Sequence, residues 1–443
     1  MDINLKFLLK KIKEVIRPFM PQWVINLKRY MVKQVKHYWE WYKIYQFQSR
    51  YPKILKKLKD KERIKVAFFL INCSVWKCDK LFRLMLENEK FDPIIVICPY
   101  IVYGDETMIR DMKQAEEFVR FKKYPYVVTL NFETGEWLDV KEEIRPDIVF
   151  FTNPHYKLTK DEYYITNYTE SLNCYIPYAF MAVNTYELQF NQLFHNIVWT
   201  LFYETPIHKK MAQKYSHIKG KNVYVSGYPG CDIFLDRNYQ PQQYPWKNKA
   251  LKKLIWAPHW LMTEVTMQAT FFEYYQIMLD IAKKYEDKLQ IAFKPHPLLK
   301  PKLYTYDDWG EERTNTYFEI WNNLANGQLE EGDYVDLFHT SDALLHDGGS
   351  FISEYLSLGK PAMYMVRNDN IMKIWNEYGE KAINTHYLGF NYKQVEEFIE
   401  NVVINGVDPK KDERERFIIE YLRYNDHGDA SECIFEYLKS NLK

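Results

Sequence analysis

Short apolar runs alternate with longer stretches of helical periodicity over most of the chain. In the first half, apolar runs occur at 66–71, 94–98, 126–130 and 148–151, and amphipathic stretches such as 106–122 separate them. Continuous apolar runs of this length are typical of strands buried on both faces of a parallel sheet, and the stretches between them predict covering helices. The first half is therefore predicted to form a Rossmann-like α/β domain.

The same alternation restarts at residue 254. Helical periodicity is found near 271–287, near 315–326 and from about residue 350. The apolar runs predicted as strands are 254–257, 290–294, 334–338, 343–346 and 361–366. The predicted fold class is thus α/β, with two Rossmann-like domains facing a cleft. Ligands of such sheets bind at the carboxyl ends of the strands.

Composition marks the borders between these parts. Residues 227–246 are rich in proline, glycine and polar residues, as is typical of a linker. The predicted parts are a basic helical segment at 1–62, a first domain at 63–235, a second domain at 236–425 and a C-terminal helix at 426–443. Neither half contains GxGxxG or GxxxxGK[ST], so a nicotinamide cofactor or ATP hydrolysis is poorly supported.

Positive charge is concentrated at the N-terminus. Residues 1–65 hold 18 Lys or Arg and 5 Asp or Glu, whereas the whole chain has a net charge of +1. Over 5–19, apolar residues fall on one helix face and basic residues on the other, and aromatic residues mix with lysines over 37–57. This pattern favours an anionic membrane surface as partner. A basic helix packed on the body is the alternative, and without a recognition motif nucleic acid is a weaker interpretation.

Other features of the sequence bear on location and on cofactors. No apolar run reaches the roughly 18 residues of a transmembrane helix, and the N-terminus does not resemble a signal peptide. The six cysteines lack zinc-type spacing and are interpreted as reduced core thiols, which favours the cytoplasm. Together with the basic N-terminal segment, this predicts a cytoplasmic protein bound peripherally at the inner face of the cell membrane. No cofactor is predicted. Metal dependence stays open, because no Asp-x-Asp signature occurs.

Three histidines end or follow predicted strands of the second half. His259 lies in APHW, His296 in KPHP and His346 at the end of ALLH. Because the carboxyl ends of such strands line one cleft, this arrangement favours a ligand site over three separate structural roles. Prolines on both sides stiffen the backbone at His296. Beside Lys294, its imidazole could donate to a phosphoryl oxygen or take a proton from an attacking hydroxyl.

The sequence HDGGS links the strand at 343–346 to the next helix. Gly348 and Gly349 allow the backbone to approach a ligand, and Ser350 is predicted to be the helix N-cap. The amides of the first turn would then form a seat for a phosphate. Glu354 in this turn could accept two ribose hydroxyls. The structural alternative is a capping box with Ser353 at its third position, which fits imperfectly because Glu or Gln is preferred there.

Together these motifs resemble the CDP-glycerol glycerophosphotransferase family. The main similarity lies in KPHP at 294–297 and in SDALLHDGGSFISEYLSLGKP at 341–361, and similar stretches bring its extent to about 65–440. These further stretches are 75–100, 227–234 and 257–260. Members of this family make teichoic-acid-like polymers and related surface glycans on the glycosyltransferase-B fold. The resemblance implies an acceptor site in the first domain and a nucleotide-donor site in the second.

The resemblance also implies an activity. The enzyme would move glycerol phosphate, or a similar polyol phosphate, from a CDP-activated donor to a hydroxyl of a lipid-linked or polymeric glycan at the membrane, releasing CMP. His296 would contact the donor phosphates or assist transfer, while Asp347, Ser350 and Glu354 would hold the cytidine diphosphate. The full set of predicted donor-binding residues is Lys294, His259, His346, Asp347, Gly348, Gly349, Ser350, Ser353 and Glu354.

The first half departs from the family pattern. Polymerising members carry a Trp-His-Gly motif whose histidine is the expected base, but the matching stretch here, NCYIPYAF at 173–180, contains no histidine. His155, just after the run at 148–151, is the nearest substitute as catalytic base. His195 and a purely structural role for His155 are the alternatives. Tyr175 and Tyr178 are predicted to line the acceptor site, although tyrosines can equally serve packing.

Two other functions stay open at this level. A glycosyltransferase using a UDP- or GDP-sugar for capsule or cell-wall polysaccharide would use the same phosphate seat, with attack at an anomeric carbon. A non-catalytic scaffold of a glycan assembly complex would explain the missing Trp-His-Gly. Release of CMP, rather than of UDP or GDP, separates the first two functions.

Overall fold

A computed structural model describes residues 21–261, 269–423 and 428–443 of the chain. The predicted amphipathic helix at 5–19 lies outside the described residues. Within them, two parallel sheets carry the fold, and helices cover both. The α/β class with two Rossmann-like sheets is therefore confirmed. Both sheets lie inside the predicted domain ranges, while the exact division of the chain stays a prediction.

The first sheet has seven strands. They are β1 (Ile64–Leu70), β2 (Phe91–Ile97), β3 (Tyr126–Val128), β4 (Ile148–Phe151), β5 (Leu172–Tyr175), β6 (Thr200–Tyr203) and β7 (Val223–Val225). Their order is β3-β2-β1-β4-β5-β6-β7, and every pair is parallel. The chain reverses its direction across the sheet between β1 and β4, which is where such sheets bind ligands.

The second sheet repeats this plan with six strands. They are β8 (Lys252–Ala257), β9 (Leu289–Phe293), β10 (Gly327–Leu329), β11 (Ala343–His346), β12 (Ala362–Met365) and β13 (Tyr387–Gly389). The order is β10-β9-β8-β11-β12-β13, again all parallel. Here the switch point lies between β8 and β11, next to the predicted histidines.

Helices fill the connections between strands. Those up to residue 235 are α1 (Gln22–Gln48), α2 (Tyr51–Lys59), α3 (Asp79–Leu86), α4 (Asp105–Phe121), α5 (Val140–Glu143), α6 (Tyr186–Phe190), α7 (Leu193–Ile197), α8 (Pro206–Tyr215) and α9 (Pro229–Leu235). Those after it are α10 (Phe271–Lys284), α11 (Leu299–Leu303), α12 (Gly310–Asn323), α13 (Val335–Thr340), α14 (Phe351–Leu356), α15 (Glu377–Asn384), α16 (Tyr392–Glu397), α17 (Lys411–Phe417) and α18 (Ala430–Asn441). Segments 398–404 and 418–422 extend α16 and α17 as π-helical turns.

One predicted strand is wrong. The apolar run at 334–338 forms the start of α13, because Asp333 accepts a hydrogen bond from the Val335 amide and turns the chain. Leu337 and Phe338 then supply the buried face of a short helix. The strand at this edge is instead β10, whose sequence Gly-Gln-Leu is too short and polar to show an apolar run.

The two halves share part of one hydrophobic core. Ile352, Leu356 and Tyr378 of the second half belong to the same buried cluster as the first sheet, and so do apolar residues of α18. Phe180 stacks on Tyr378 with ring centroids 4.6 Å apart. Asp232 accepts hydrogen bonds from the first two amides of α18, at 3.0 and 2.9 Å. The C-terminal helix thus crosses back and closes over the first half.

The helix α1 is long and largely uncovered. Its C-terminal end is attached by Gln48, whose amide donates to the carbonyls of Asn196 and Val198 at 3.0 and 3.1 Å. Further toward its N-terminal end, most of the described side chains are exposed, aromatic ones included. Across the described part of the chain, no helix combines the length and apolar character required to cross a bilayer.

Candidate active site

The three predicted histidines lie at the carboxyl ends of three adjacent strands, β9, β8 and β11. Only two of their rings meet. His259 and His296 have ring centroids 4.9 Å apart, and both side chains are half-buried, whereas His346 is fully buried. We call His259 and His296 the histidine pair. The position of a histidine at a strand end therefore predicted the contact of His259 with His296, but not the burial of the His346 side chain.

Backbone amides fix the protonation of the histidine pair. The Leu298 amide donates to Nδ1 of His296, and the Leu261 amide donates to Nδ1 of His259, both at 3.1 Å. An amide can only donate, so each Nδ1 is unprotonated and each neutral ring carries its proton on Nε2. Neither Nε2 has a hydrogen bond to a described residue. Both rings therefore offer an N–H donor to a ligand.

The same environment keeps both rings neutral. Burial lowers the pKa of His296 to about 3, with smaller contributions from the nearby His259 and Lys294. Burial also lowers the pKa of His259 to about 4. A neutral imidazole with Nε2–H can donate a hydrogen bond over the whole physiological pH range. Of the two roles expected for His296, the geometry fits donation to an oxygen and not removal of a proton.

Lys294 precedes the pair and is 6% exposed. Its ammonium donates to the Gly332 carbonyl at 2.9 Å and to the Glu330 carbonyl at 3.4 Å, and it lies 5.6 Å from the centre of the Tyr334 ring. Burial lowers the pKa of this lysine. An ammonium has three N–H donors. Lys294 therefore keeps at most one donor for a phosphoryl oxygen.

Asp347 has a different place from the one expected. Its carboxylate is fully buried and accepts hydrogen bonds from the His259 amide at 2.5 Å and from the Thr270 amide and hydroxyl at 2.6 and 2.8 Å. Burial raises its pKa to about 6, although these donors act in the opposite direction. Direct contact of Asp347 with the donor therefore stays a prediction, which this arrangement does not favour. Asp347 holds the loop that carries His259.

The turn after β11 differs in part from the predicted N-cap. Ser350 lies at the N-cap position of α14, as predicted, but its backbone angles are helical, φ −68° and ψ −39°, and its side chain caps no amide. The alternative of a capping box is therefore not formed. A Cβ on Gly348 would lie 3.3 Å from Cδ2 of His259, whereas one on Gly349 would meet nothing within 4 Å. Gly348 thus makes room for the histidine pair. Gly349 and Ser350 form the accessible part of this turn.

Glu354 and Ser353 are buried inside the helix packing. The Glu354 carboxylate pairs with the Lys77 ammonium at 3.1 Å and accepts from the Tyr334 hydroxyl at 2.6 Å. Ser353 shares a hydrogen bond of 2.9 Å with the Tyr378 hydroxyl. In this arrangement both side chains are engaged within the protein, so the ribose contact of Glu354 and the donor contact of Ser353 stay predictions. Glu354 instead joins the two halves, because Lys77 belongs to the first.

Lys77 stays charged despite its burial. Burial alone would lower the pKa of the ammonium, but Glu354 and Tyr334 raise it above its usual value. His346 is also structural. Its Nδ1 donates to the Gly348 carbonyl at 2.9 Å, and burial lowers its pKa to about 4. In this structure His346 thus bonds its own loop, and its contact with a donor stays a prediction.

In the first half, the structure brings together the residues predicted for the acceptor. A cavity is lined by His155, Tyr175, Tyr178 and His195, together with Gln189 and other side chains. We call this cavity the neutral pocket, because no Asp, Glu, Lys or Arg is among its lining residues. A second cavity, next to the β1 and β4 ends, is also lined by His155.

His155 is held in one orientation by Gln192. The Gln192 amide nitrogen donates to the Leu188 carbonyl at 2.8 Å and approaches Nδ1 of His155 at 2.7 Å. The carbonyl contact fixes which end of the amide is the nitrogen, so Nδ1 of His155 accepts and its proton lies on Nε2. Burial lowers the pKa of the ring. The arrangement supports His155 as a hydrogen-bond donor rather than as a base.

His195 lies at the inner end of the neutral pocket. It is 1% exposed, and neither ring nitrogen has a hydrogen-bond partner among the described residues. The Oε1 atom of Gln189 is likewise buried and unpartnered. Burial lowers the pKa of His195 to about 3, so the ring is neutral. Tyr178, by contrast, is 37% exposed.

Sequence reasoning missed several of these residues. Lys77 lies in the stretch 75–100 that resembles the family, and this was its only signal. Tyr334 was assigned to a strand, while Gln189 and Gln192 lie in short helices without clear periodicity. Their roles depend on contacts with distant parts of the chain. No cluster of three or more His, Cys, Asp or Glu within the described ranges could hold a metal ion.

Comparison with known proteins shows the family of this chain. The model of the family described as CDP-Glycerol:Poly(glycerophosphate) glycerophosphotransferase matches residues 189–439, more than half of the chain. The chain belongs to this family. It is accordingly an enzyme of the CDP-glycerol glycerophosphotransferase type, which transfers glycerol phosphate from CDP-glycerol. No curated protein sequence matches the chain.

Solved structures agree with the fold. UDP-GlcNAc 2-epimerase from Neisseria meningitidis, bound to UDP-GlcNAc, has a TM-score of 0.57 at 16% identity, covering 85% of this chain and 100% of that one. A variant of the Wall Teichoic Acid Polymerase TagF has a TM-score of 0.56 at 13% identity, covering 94% and 98%. The S. aureus MnaA-UDP structure has a TM-score of 0.53 at 16% identity, covering 86% and 97%. The glycosyltransferase-B architecture is thereby confirmed.

Proposed function

We propose that this enzyme adds glycerol phosphate from CDP-glycerol to a hydroxyl of a lipid-linked or polymeric glycan at the inner face of the cell membrane. The donor, CDP-glycerol, follows from the family. The acceptor, the location at the membrane and the roles of the site residues are proposed here. The observation that supports the donor site most directly is the histidine pair, with two neutral Nε2–H donors at the switch point between β8 and β11.

In the proposed step, the acceptor hydroxyl oxygen bonds to the glycerol-bearing phosphorus of CDP-glycerol. The bond from this phosphorus to the oxygen bridging to CMP breaks, and CMP leaves with the electron pair. The hydroxyl proton passes to solvent or to the leaving phosphate. Such reactions have loose transition states, so positioning and charge stabilisation supply most of the catalysis.

The histidine pair would bind the phosphoryl oxygens in this step. Donors fixed by the backbone need no rearrangement when charge develops on these oxygens, which makes them more effective than mobile ones. Lys294 would contribute positive charge behind the pair, and Gly349 with Ser350 would give the diphosphate access to the turn. Asp347 and Gly348 would act indirectly, by setting the position of the His259 ring.

The acceptor would enter from the first half. His155 and Tyr178 line the neutral pocket where it is accessible, and Tyr175 lies deeper. With Nδ1 engaged by Gln192, His155 would donate to the acceptor oxygen and orient it. A loose transition state places little demand on a strong base. The missing Trp-His-Gly is therefore compatible with transfer.

Helix α1 supports attachment to the membrane. Residues 22–48 include five Lys or Arg and one Glu. Among the described side chains of this helix, Phe47 is buried, but six other aromatic ones are more than 40% exposed: Tyr30, Tyr38, Trp39, Trp41, Tyr42 and Tyr45. Exposed aromatic rings among basic residues are typical of helices in the interface of anionic bilayers. Attachment there would bring the site to a lipid-linked acceptor.

Two experiments test this function. CMP release from CDP-glycerol should require a lipid-linked or polymeric glycan and should be much weaker with CDP-ribitol, whereas turnover confined to UDP- or GDP-sugars would contradict the proposal. Sedimentation with phosphatidylglycerol vesicles should exceed that with phosphatidylcholine vesicles. The triple variant Tyr38→Ser, Trp39→Ser, Tyr42→Ser should bind both kinds of vesicle more weakly if α1 is the membrane contact.

A further inference from the structure

The neutral pocket contains polar atoms that the fold leaves without partners. His195 has two buried ring nitrogens, and Gln189 has a buried amide oxygen, none with a hydrogen bond to a described residue. Leaving a buried polar group unpaired costs about 1–3 kcal/mol, so such groups call for an explanation. All three atoms belong to residues that line the neutral pocket. A bound molecule would satisfy them together.

The chemistry of the lining limits what this molecule is. The lining contains no cationic side chain, and both imidazoles are neutral because burial lowers the pKa of His155 and of His195. A phosphate moved from water into such a site would lose its hydration without gaining a counter-charge. A hydroxyl group, in contrast, is uncharged and can both donate and accept hydrogen bonds. A neutral imidazole offers the same pair of functions.

We propose that the neutral pocket binds the uncharged, hydroxyl-bearing terminal unit of the acceptor, a polyol or sugar residue, through His195 and Gln189, while the acceptor's phosphates stay outside. This inference rests on the proposed function, because it takes the pocket to be the acceptor side of the transfer reaction. His195 and Tyr175 lie at the buried end and His155 with Tyr178 at the accessible end. One hydroxyl of the unit remains near His155 for the attack.

Replacement of His195 should affect stability and ligand binding differently from replacement of a structural histidine. His195 packs against Phe194 and Tyr175, with ring centroids 5.7 and 6.0 Å away. Phenylalanine fits this aromatic setting and removes the unpaired nitrogens. Replacement of unsatisfied polar atoms by apolar ones of similar shape is neutral or stabilising. His195→Phe should therefore keep or raise the melting temperature while it weakens ligand binding.

Binding is measured on the full chain without CDP-glycerol, by saturation-transfer NMR with glycerol, methyl β-glucoside and sn-glycerol 3-phosphate. The two uncharged probes should receive saturation from the wild type and bind about tenfold more weakly to His195→Phe. The charged probe should bind least. His339→Phe is the matched control, because His339 lies in the second half and its Nε2 donates to the Ile233 carbonyl, outside the pocket.

Each result decides the question. Unchanged binding of the uncharged probes to His195→Phe, or preferential binding of sn-glycerol 3-phosphate that this variant abolishes, would overturn the proposal. A fall in melting temperature would show that the ring is structural, and Gln189→Leu then serves as the second variant with the same expected loss. If CDP-glycerol turnover is absent but the probes bind through His195, the proposed function is wrong, while the binding of uncharged hydroxyl compounds in the neutral pocket is supported.

Discussion

The histidine pair and the neutral pocket use the same side chain in opposite ways. In the pair, backbone amides occupy Nδ1 of both rings and fix the proton on Nε2. In the pocket, His195 has no partner on either nitrogen. The first arrangement is complete before a ligand arrives, and the second is complete only with one. Under the proposed function, the donor side would be preorganised, while the acceptor side would obtain part of its stability from its ligand.

The contact that holds the two sides together should be the most costly to break. Lys77 and Glu354 are 16% and 2% exposed in their side chains. Lys77→Met leaves the Glu354 carboxylate buried without its cation, which is expected to lower the free energy of unfolding by about 3–5 kcal/mol. Urea denaturation measures this change.

Lys80→Met is the matched control for this prediction. Lys80 pairs with Asp429 and Glu432 but is 37% exposed, so its loss should cost about 1 kcal/mol or less. Equal effects of the two variants would contradict the structural role assigned to Lys77.

The difference between the two histidine sites should be visible in the kinetics. His296→Ala removes a fixed donor and is expected to lower kcat by about 10²–10³-fold. His155→Ala should mainly raise the KM for the acceptor, because His155 orients this substrate. His296→Gln, whose amide nitrogen can take the place of Nε2, should recover part of kcat. If both alanine variants lower kcat equally, the division into donor and acceptor sides is wrong.

The buried carboxylate of Asp347, next to the histidine pair, should also make the free energy of unfolding depend on pH. Burial raises the pKa of Asp347 to about 6, above the usual 3.8, so the folded state holds this proton more tightly than the unfolded state does. The wild type should therefore lose stability as pH rises from about 4 to about 6. Relative to Asp347→Asn, the loss is expected to be about 3 kcal/mol. Urea unfolding of both proteins at several pH values tests this, and parallel profiles would contradict it.

The smallest effect is expected at Ser350, where sequence and structure disagree. A true N-cap loses about 1 kcal/mol on replacement by alanine. Because the Ser350 side chain caps no amide, Ser350→Ala should change the free energy of unfolding by less than about 0.5 kcal/mol. A larger loss of stability would restore the N-cap. A loss of donor affinity alone would instead assign the hydroxyl to the substrate.

The sequence predicted positions better than contacts. His259 and His296 were located because a histidine next to an apolar run is visible locally, and the adjacency of β8 and β9 brings the rings together. His346 satisfies the same rule, yet its side chain turns into the core and bonds the Gly348 carbonyl. Strand alternation explains such failures, since successive side chains point to opposite faces. Ser350 lies at the predicted N-cap position, yet its side chain caps no amide, because capping depends on backbone angles.

The sequence by itself determined the two parallel sheets, their helices and the sheet edge at which the histidine pair lies. Strands buried on both faces must be apolar throughout, so this information is written in consecutive residues. Tertiary structure alone decided which polar atoms are engaged. Glu354 pairs with Lys77, 277 positions away, and Asp347 with the amide of Thr270, 77 positions away. Hydrogen bonds of this kind depend on directions and distances of a few ångström, which only the packed chain defines.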